Sequence, residues 1–462
     1  MDLIIKHGTI VTATDTYQDD IAISGETITL IGHDLSGDAT TRIIDARGRY
    51  LCPGGVDAHV HLDTPVMGTI TADDYQSGTI AAACGGTTSI VDFCFQMPGQ
   101  SLGDAIAGWH VRAAGKAAID YGFHIVVADP TAAVLEELAG LPAQGITSFK
   151  LFMAYKDALM ADDWTIIQVL EQARQSGALV MVHAENGDAA HLLQQRFLAA
   201  GQTGPKYHLL SRPPRIEAEA VARVITLAEF VGAPIFIVHM SCGEALDELV
   251  RGRARGVQVF AETCPHYLNT SVEDLDRPGF EGAKYCYSPP PRQKSDQEML
   301  WHALANGTLQ SVGSDHAPFN FVGQKELGCD DFTKIPSGAP GIEERLIMIY
   351  QGVHEGRLSI NRFVELVSTA PARLFGLAPR KGSIAVGADA DLVIWNPDAT
   401  LELTPARLHQ RVDYTINQGR HVRGLPEVVL LRGKVIVADR DYVGQIGSGQ
   451  FLQRARFGQA MR

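Results

Sequence analysis

Apolar residues along this chain fall into two textures. From residue 1 to about 50, short β-favouring runs alternate with turns: Leu3-Ile4-Ile5-Lys6, Thr9-Ile10-Val11, Asp20-Ile21-Ala22-Ile23, Thr27-Ile28-Thr29-Leu30-Ile31 and Arg42-Ile43-Ile44-Asp45, punctuated at Gly8, Ser24-Gly25 and Gly32. So small a piece buries no core by itself. Matching runs return late, at Ser383-Ile384-Ala385-Val386, Ala390-Asp391-Leu392-Val393-Ile394-Trp395, and Val428-Val429-Leu430-Leu431 turning at Gly433 into Lys434-Val435-Ile436-Val437. The hairpin pattern from Ile4 to Val11 is echoed from Leu430 to Val437. Both chain ends together therefore predict a small β-sandwich.

Between the ends, apolar runs alternate with helical periodicity. Strands are predicted over 54–61, 87–93, 122–129, 146–152, 178–183, 234–239, 257–262 and 311–315, with helices over 101–118, 162–175, 216–230, 243–255 and 295–306. Near-continuous apolar strands, each followed by a helix, signal a parallel sheet covered on both faces, and eight such units predict a closed (β/α)8 barrel of the TIM type. The division predicted is 1–52 for the first part of the sandwich, 53–376 for the barrel, 377–437 for the second part of the sandwich and 438–462 for a C-terminal tail. Polar residues gather at the C-terminal ends of the predicted strands: His59, His61, Asp92, Asp129, Lys150, His183, His239, Glu262 and Asp315. That face carries the chemistry of such barrels, because the βα loops open there.

Composition narrows the class. The chain has 462 residues, 45% of them hydrophobic, enough for a large core. A net charge of −14, from 39 Lys+Arg against 53 Asp+Glu, argues against nucleic acid or anionic membrane as partner, since phosphate neutralisation needs a basic face. Seven scattered cysteines read as reduced, buried thiols. The start of the chain has no leader-like pattern, and no apolar run approaches the roughly 20 residues of a membrane span, so a cytoplasmic enzyme acting on a small molecule is expected.

The candidate chemistry centres on Asp57-Ala58-His59-Val60-His61. On a strand, residues i and i+2 share a face, so the two imidazoles converge. With His183, His239 and Asp315 they offer four imidazoles and a carboxylate, the ligand types of zinc and other divalent first-row metals. Five such ligands exceed what one catalytic metal uses, so the set fits two. Two dications about 3.5 to 4 Å apart call for an anionic bridge. Lys150, in Ser148-Phe149-Lys150-Leu151-Phe152, would supply it if its amine had combined with carbon dioxide as a carbamate; an ordinary ion pair or a snorkelling side chain is the simpler alternative.

Over nearly its whole length the chain resembles the cyclic amidohydrolases of the dihydropyrimidinase and hydantoinase family. The resemblance is carried by Pro53-Gly54-Gly55-Val56-Asp57-Ala58-His59-Val60-His61, Gly68-Thr69-Ile70-Thr71-Ala72-Asp73-Asp74, Val91-Asp92-Phe93-Cys94, Ser148-Phe149-Lys150-Leu151-Phe152-Met153-Ala154-Tyr155, Val182-His183-Ala184-Glu185-Asn186 and Ser314-Asp315-His316. It implies hydrolysis of a 5,6-dihydropyrimidine or 5-monosubstituted hydantoin to an N-carbamoyl amino acid by a metal-bridging hydroxide. Two divalent ions, expected as zinc, would be held by His59, His61 and Asp315 on one side and His183 and His239 on the other, bridged by N6-carboxylysine at Lys150. Tyr155 would polarise the carbonyl oxygen, Asp315 would shuttle the proton, and Ser288 and Ser337 would bind the ring amide. A homotetramer is implied as well.

Departures bear on substrate. Leu62-Asp63 stands where dihydroorotases and allantoinases carry a basic or amide residue, and Asp63 is expected to repel a carboxylate. The stretch Asp315-His316-Ala317-Pro318 looks more like those relatives. Position 337 is Ser where asparagine is frequent, which matters little if its backbone does the binding, and the loop Asp63-Thr64-Pro65-Val66-Met67 is expected to shape the pocket for an exocyclic group. Alternatives are an allantoinase-like enzyme and a non-catalytic dihydropyrimidinase-related scaffold, against which all six metal positions are filled. His316, His124, His208 and Asp129 read as structural, Glu262-Thr263-Cys264-Pro265-His266 lacks a second Cys/His pair for a metal site of its own, and Arg440, Arg454, Arg456 and Arg462 read as a solvated or subunit-contacting arm.

Overall fold

The computed structural model describes residues 1–459. Eight parallel strands form one sheet in sequential order: β1 (Gly55–Val60), β2 (Thr87–Phe95), β3 (Asp120–Val126), β4 (Ser148–Phe152), β5 (Leu179–His183), β6 (Ile235–Ile237), β7 (Val259–Thr263) and β8 (Ser311–Val312). Every residue of β1 to β6 is buried. That burial on both faces is why the strands lack a period-2 polar alternation.

β8 stops at Val312, short of the predicted 315. The ring closes through the segment after it: Asp315 N donates to the His59 carbonyl at 2.9 Å, His61 N donates to the His316 carbonyl at 2.9 Å, and Val60 and His316 form a parallel bridge. The Asp57 carboxylate reinforces the seam, accepting from Ser314 N at 3.0 Å while lying 3.4 Å from the buried Arg345 guanidinium.

The two chain ends form a second body of two sheets. One runs in the order Thr27–Gly32, Asp20–Ser24, Leu3–Lys6, Arg42–Asp45; the other joins Asp441–Tyr442, Lys434–Ala438, His421–Leu431, Leu392–Glu402, Tyr50–Pro53, Thr9–Val11 and Thr16–Gln18. Leu3, Ile5, Ile21, Ile23, Leu51, Leu392, Ile394 and Leu430 pack between them. The predicted hairpin from Ile4 to Val11 is instead a corner: Leu3–Lys6 and Thr9–Val11 lie in different sheets, turned at His7 with φ +64°. Its late echo is a true hairpin through Arg432 and Gly433, both at positive φ. No strand forms over 383–386, where the chain turns.

The basic tail packs along the barrel instead of standing free, with Arg454 buried and Arg456 exposed. Tyr121 N donates to the Gln450 carbonyl, Leu452 N to Tyr121, Arg454 N to Gly145 and Phe457 N to Gly177, so the tail crosses the rim where β3, β4 and β5 begin. Arg454 is buried, donating to the carbonyls of Phe123 and Phe375, because that rim leaves backbone acceptors without strand partners. Arg462 lies outside the described residues. All seven cysteines are free, but Cys329 is exposed rather than buried. No helix among the described residues is long and apolar enough to cross a membrane.

A buried cation docks the two bodies. Lys381 Nζ lies 2.6 Å from Asp120 at the head of β3, and 2.9 and 2.7 Å from Asp389 and Asp391 at the edge of the sandwich. These carboxylates outweigh burial and raise the Lys381 pKa. Removing the cation leaves Asp391 without an ionic partner, while Asp120 keeps Arg432 and Asp389 keeps Arg380, so Lys381→Met is expected to cost about 3 kcal/mol and lower the thermal unfolding temperature. An unchanged unfolding temperature would contradict this docking role.

Candidate metal centre

The strand ends meet at a cavity of about 460 Å³, lined by His59, His61, Lys150, His183, His239 and Asp315 together with Tyr155, Ser288 and Ser337. All nine residues singled out in the sequence thus reach one site. Asp315 Oδ1 lies 3.1 Å from His59 Nε2 and 3.2 Å from His61 Nε2. The ring of His239 lies 5.5 Å from His59 and 4.6 Å from His183, centroid to centroid. Three of the group hold an unusual backbone: Tyr155, His239 and Asp315 sit at φ +64°, +39° and +48°. Left-handed geometry at non-glycine residues is costly and concentrates at functional sites.

Carboxylates behind the imidazoles fix which nitrogen faces forward. Glu262, on β7, hydrogen-bonds His59 Nδ1, leaving Nε2 toward Asp315. Glu185 accepts from His183 Nε2 at 2.7 Å and is itself held by Arg212 at 2.7 Å, which leaves Nδ1 of His183 for a ligand. Such carboxylate–imidazole pairs orient metal ligands and raise their basicity. Glu185 and Asp57 were missed as site residues; Glu185 stands two residues beyond His183, the spacing that signals its role. Glu262 is legible in the sequence as a polar residue at a strand end, but nothing local pairs it with His59.

The electrostatics of the site are those of a cation trap. Burial alone would raise the Asp315 carboxyl, yet His59 and His61 hold it well below the usual range. Burial alone would lower His59, but Asp315 and Glu262 at its two nitrogens raise it to about 9. His61, with one carboxylate only, is pulled down by burial to about 4. Lys150 Nζ sits 5.0 and 4.9 Å from the rings of Phe93 and Phe152, and burial lowers it to about 7. His239 Nδ1 is buried without a hydrogen-bond partner. Converging imidazoles around an ionised carboxylate, with a ring nitrogen left unsatisfied, fit divalent metal.

Elsewhere the structure sorts the remaining candidates. His316 bonds Asp73 at 3.0 Å and His124 the Ala58 carbonyl at 3.0 Å, both away from the ligand set. His208 donates to the Tyr287 carbonyl at 2.9 Å, behind Ser288, and the Asp129 carboxylate accepts from Gly99 N. Cys264 and His266 do meet a third group, since their ligand atoms and that of Asp315 lie within 4.8 Å of one another. Asp63 does not repel substrate as expected: its carboxylate pairs with Arg112 at 3.1 Å and it does not line the cavity. What does bear on anionic substrates is that, among the described residues, Lys150 is the only Lys or Arg in the lining. Pro65, Val66, Met67, Phe95, Met97, Phe152 and Leu159 make the outer wall apolar.

Comparison with known proteins places this geometry. The model of the amidohydrolase family matches residues 50–436. A D-hydantoinase of Ralstonia pickettii is 54% identical over 459 residues, covering 99% of this chain and 100% of that protein. Among solved structures, one of a D-hydantoinase superposes with a TM-score of 0.98 at 55% identity, covering 99% of this chain and 100% of that one. The dihydropyrimidinase of Brevibacillus agri NCHU1002 gives 0.98 at 50% identity, with the same coverage.

Because Glu262 orients His59, Glu262→Gln is expected to weaken metal retention by about 10- to 100-fold, read by competition with a chelator. Unchanged affinity would show that His59 is oriented without it.

Proposed function

This chain belongs to the amidohydrolase family, among its hydantoinases, and from that premise we propose that it opens the ring of a 5-monosubstituted hydantoin or a 5,6-dihydropyrimidine to give an N-carbamoyl amino acid. The single observation that carries this reading is the convergence of His59, His61, His183, His239, Lys150 and Asp315 on one cavity whose outer wall is apolar. His59, His61 and Asp315 would hold one divalent ion, His183 and His239 the other, with Lys150 as N6-carboxylysine between them; zinc is the metal proposed. Burial favours the neutral amine of Lys150, which can add carbon dioxide with loss of a proton to give the carbamate anion that two dications would require. Bound there, the ions would supply Lewis acidity toward a ring carbonyl and lower the pKa of a water between them.

The chain's own groups do the rest. Asp315, ionised and held by two imidazoles, accepts the proton of the attacking water and delivers it to the departing ring nitrogen. The Tyr155 hydroxyl donates to the carbonyl oxygen as negative charge develops there; burial raises its pKa, so it stays protonated. Ser288 and Ser337, whose hydroxyls lie 3.0 Å apart, bring the backbone groups that receive the ring amide. Metal and water suffice, and no serine or cysteine nucleophile is used.

The apolar outer wall suits an uncharged exocyclic substituent, while an exocyclic carboxylate finds no arginine among the described residues of the lining. That contrast separates hydantoins and dihydrouracil from dihydroorotate. The full set of metal ligands speaks against a scaffold without activity, and no feature of the lining favours allantoin. The D-hydantoinase relatives make D-enantiomers the ones to assay first. A cytoplasmic homotetramer is proposed from the family likeness.

Two outcomes test this reading. Chelator-treated protein is expected to lose turnover of dihydrouracil and a 5-monosubstituted hydantoin and to regain it with zinc, cobalt or manganese, dihydroorotate remaining unreactive throughout. Full activity without metal would contradict it. Lys150→Ala is expected to lose more than about 100-fold in rate, beyond the loss typical of an outer partner. Added short-chain carboxylic acid should restore part of that loss by standing in for the carbamate.

A further inference from the structure

The turn after the barrel seam carries two neighbouring residues that tie opposite sides of the cavity to one anchor. Lys325 is fully buried, and its Nζ donates to three backbone carbonyls: Cys286 at 2.9 Å, Pro336 at 2.6 Å and Gly338 at 2.7 Å. Burial lowers the Lys325 pKa to about 7, but three acceptors match the three donors of an ammonium, whereas a neutral amine has only two, so the cage favours the charged form. The same Cys286 carbonyl accepts from Gly338 N at 3.0 Å. Lys325 thus clamps the segment leading to Ser288 against the segment carrying Ser337 and Gly338, whose hydroxyls at 288 and 337 meet in the cavity.

Gln324 faces the other way. Its amide donates to Thr69 Oγ1 at 2.8 Å and to the Ile70 carbonyl at 2.7 Å, while its carbonyl oxygen accepts from Asn320 N at 2.7 Å. Thr69–Ile70 is one arm of the small hairpin whose other arm, Pro65–Val66, with Met67 at its turn, forms part of the apolar wall. The anchor is firm: Lys325 N donates to the Asn320 carbonyl, and the Asp413 carboxylate accepts from Phe321 N and Val322 N at 2.6 and 3.0 Å.

We propose that Lys325 and Gln324 are positioning residues with separate charges: Lys325 sets the backbone wall that receives the ring amide, and Gln324 sets the hairpin that receives the exocyclic substituent. The assignment rests on the ring-opening reading of the site. Neither residue reaches substrate. Each acts through backbone that does, so each shapes binding ahead of the chemical step. Carbonyls held by a buried ammonium lose their fixed geometry when it is removed, since those of Pro336 and Gly338 lose their side-chain donor and that of Cys286 keeps only Gly338 N.

The test is steady-state kinetics of the metal-loaded full chain on unsubstituted hydantoin and on a 5-substituted hydantoin. Lys325→Ala is expected to raise KM for both by about tenfold or more with kcat changed far less, the signature of lost binding rather than lost transition-state contact. Ethylammonium ions, filling the cavity left, should lower that KM again, whereas ethanol at equal concentration should not. Gln324→Ala is expected to raise KM for the substituted ring and leave the unsubstituted ring unchanged. If Lys325→Ala does not fold, Lys325→Gln, which keeps two amide donors, is expected to show the same shift in smaller measure. Unchanged KM in the Lys325 variants, equal effects of Gln324→Ala on both substrates, or rescue by ethanol as well as ethylammonium overturns the proposal. Failure of the unmodified enzyme to open either ring overturns the reading beneath it instead.

Discussion

The seam between the first and last barrel strands governs this molecule. Asp315 is held by its backbone to the carbonyl of His59 and by its carboxylate to the imidazoles of His59 and His61. β8 is too short to close the ring by ladder pairing, so the closure and the ligand set are made by the same few residues. A barrel that failed to close would scatter the ligands, and a seam without its polar groups would leave backbone donors and acceptors of β1 unpaired. Fold and site are one constraint seen at two scales.

Burial gives that constraint its chemical meaning. His59, His183, His239, Lys150 and Glu262 are almost wholly removed from solvent, where an unpaired charge is expensive. The opposed shifts of His59 and His61, both beside Asp315, follow from counting carboxylates: His59 has two and His61 one. A site of this kind is poorly satisfied by its own groups and well satisfied by cations. The outer pairs, Glu262 behind His59 and Glu185 with Arg212 behind His183, keep the imidazoles facing forward before any ion arrives. Chemistry at the inner end is then fixed by the strands, while the hairpin at Pro65–Ile70 and the wall at Ser288 and Ser337 leave recognition to loops, as is usual in this architecture.

Much of this was legible in the sequence because the barrel strands advertise themselves. Eight apolar runs ending in polar residues give the order of the sheet and the six metal-ligand candidates that meet in one cavity, while Tyr155, Ser288 and Ser337 are legible only through the family resemblance. Where the reading went astray, the cause was a contact that no local pattern encodes. His7 and Gly8 look like a hairpin turn, yet the two strands they join serve different sheets because Leu3–Lys6 finds Asp20–Ser24 and Arg42–Asp45 as partners. Arg454 looks like a solvated arm residue until the rim of the barrel offers it backbone carbonyls. Asp63 reads as a charge aimed at substrate, and the distant Arg112 removes it from the question. Glu185 and Asp57 escaped notice because their roles depend on Arg212 and Arg345, far away in the chain.

Residues of the first and last strands are proposed to share a metal across the seam. Diffraction from crystals grown with zinc, recorded on both sides of the zinc absorption edge, tests it most directly. Two anomalous peaks are expected in each chain, one within bonding distance of His59, His61 and Asp315, the other of His183 and His239, with density for a carboxylated Lys150 joining them. Peaks that leave Asp315 unliganded, or an uncarboxylated Lys150 amine beside two bound ions, would contradict it.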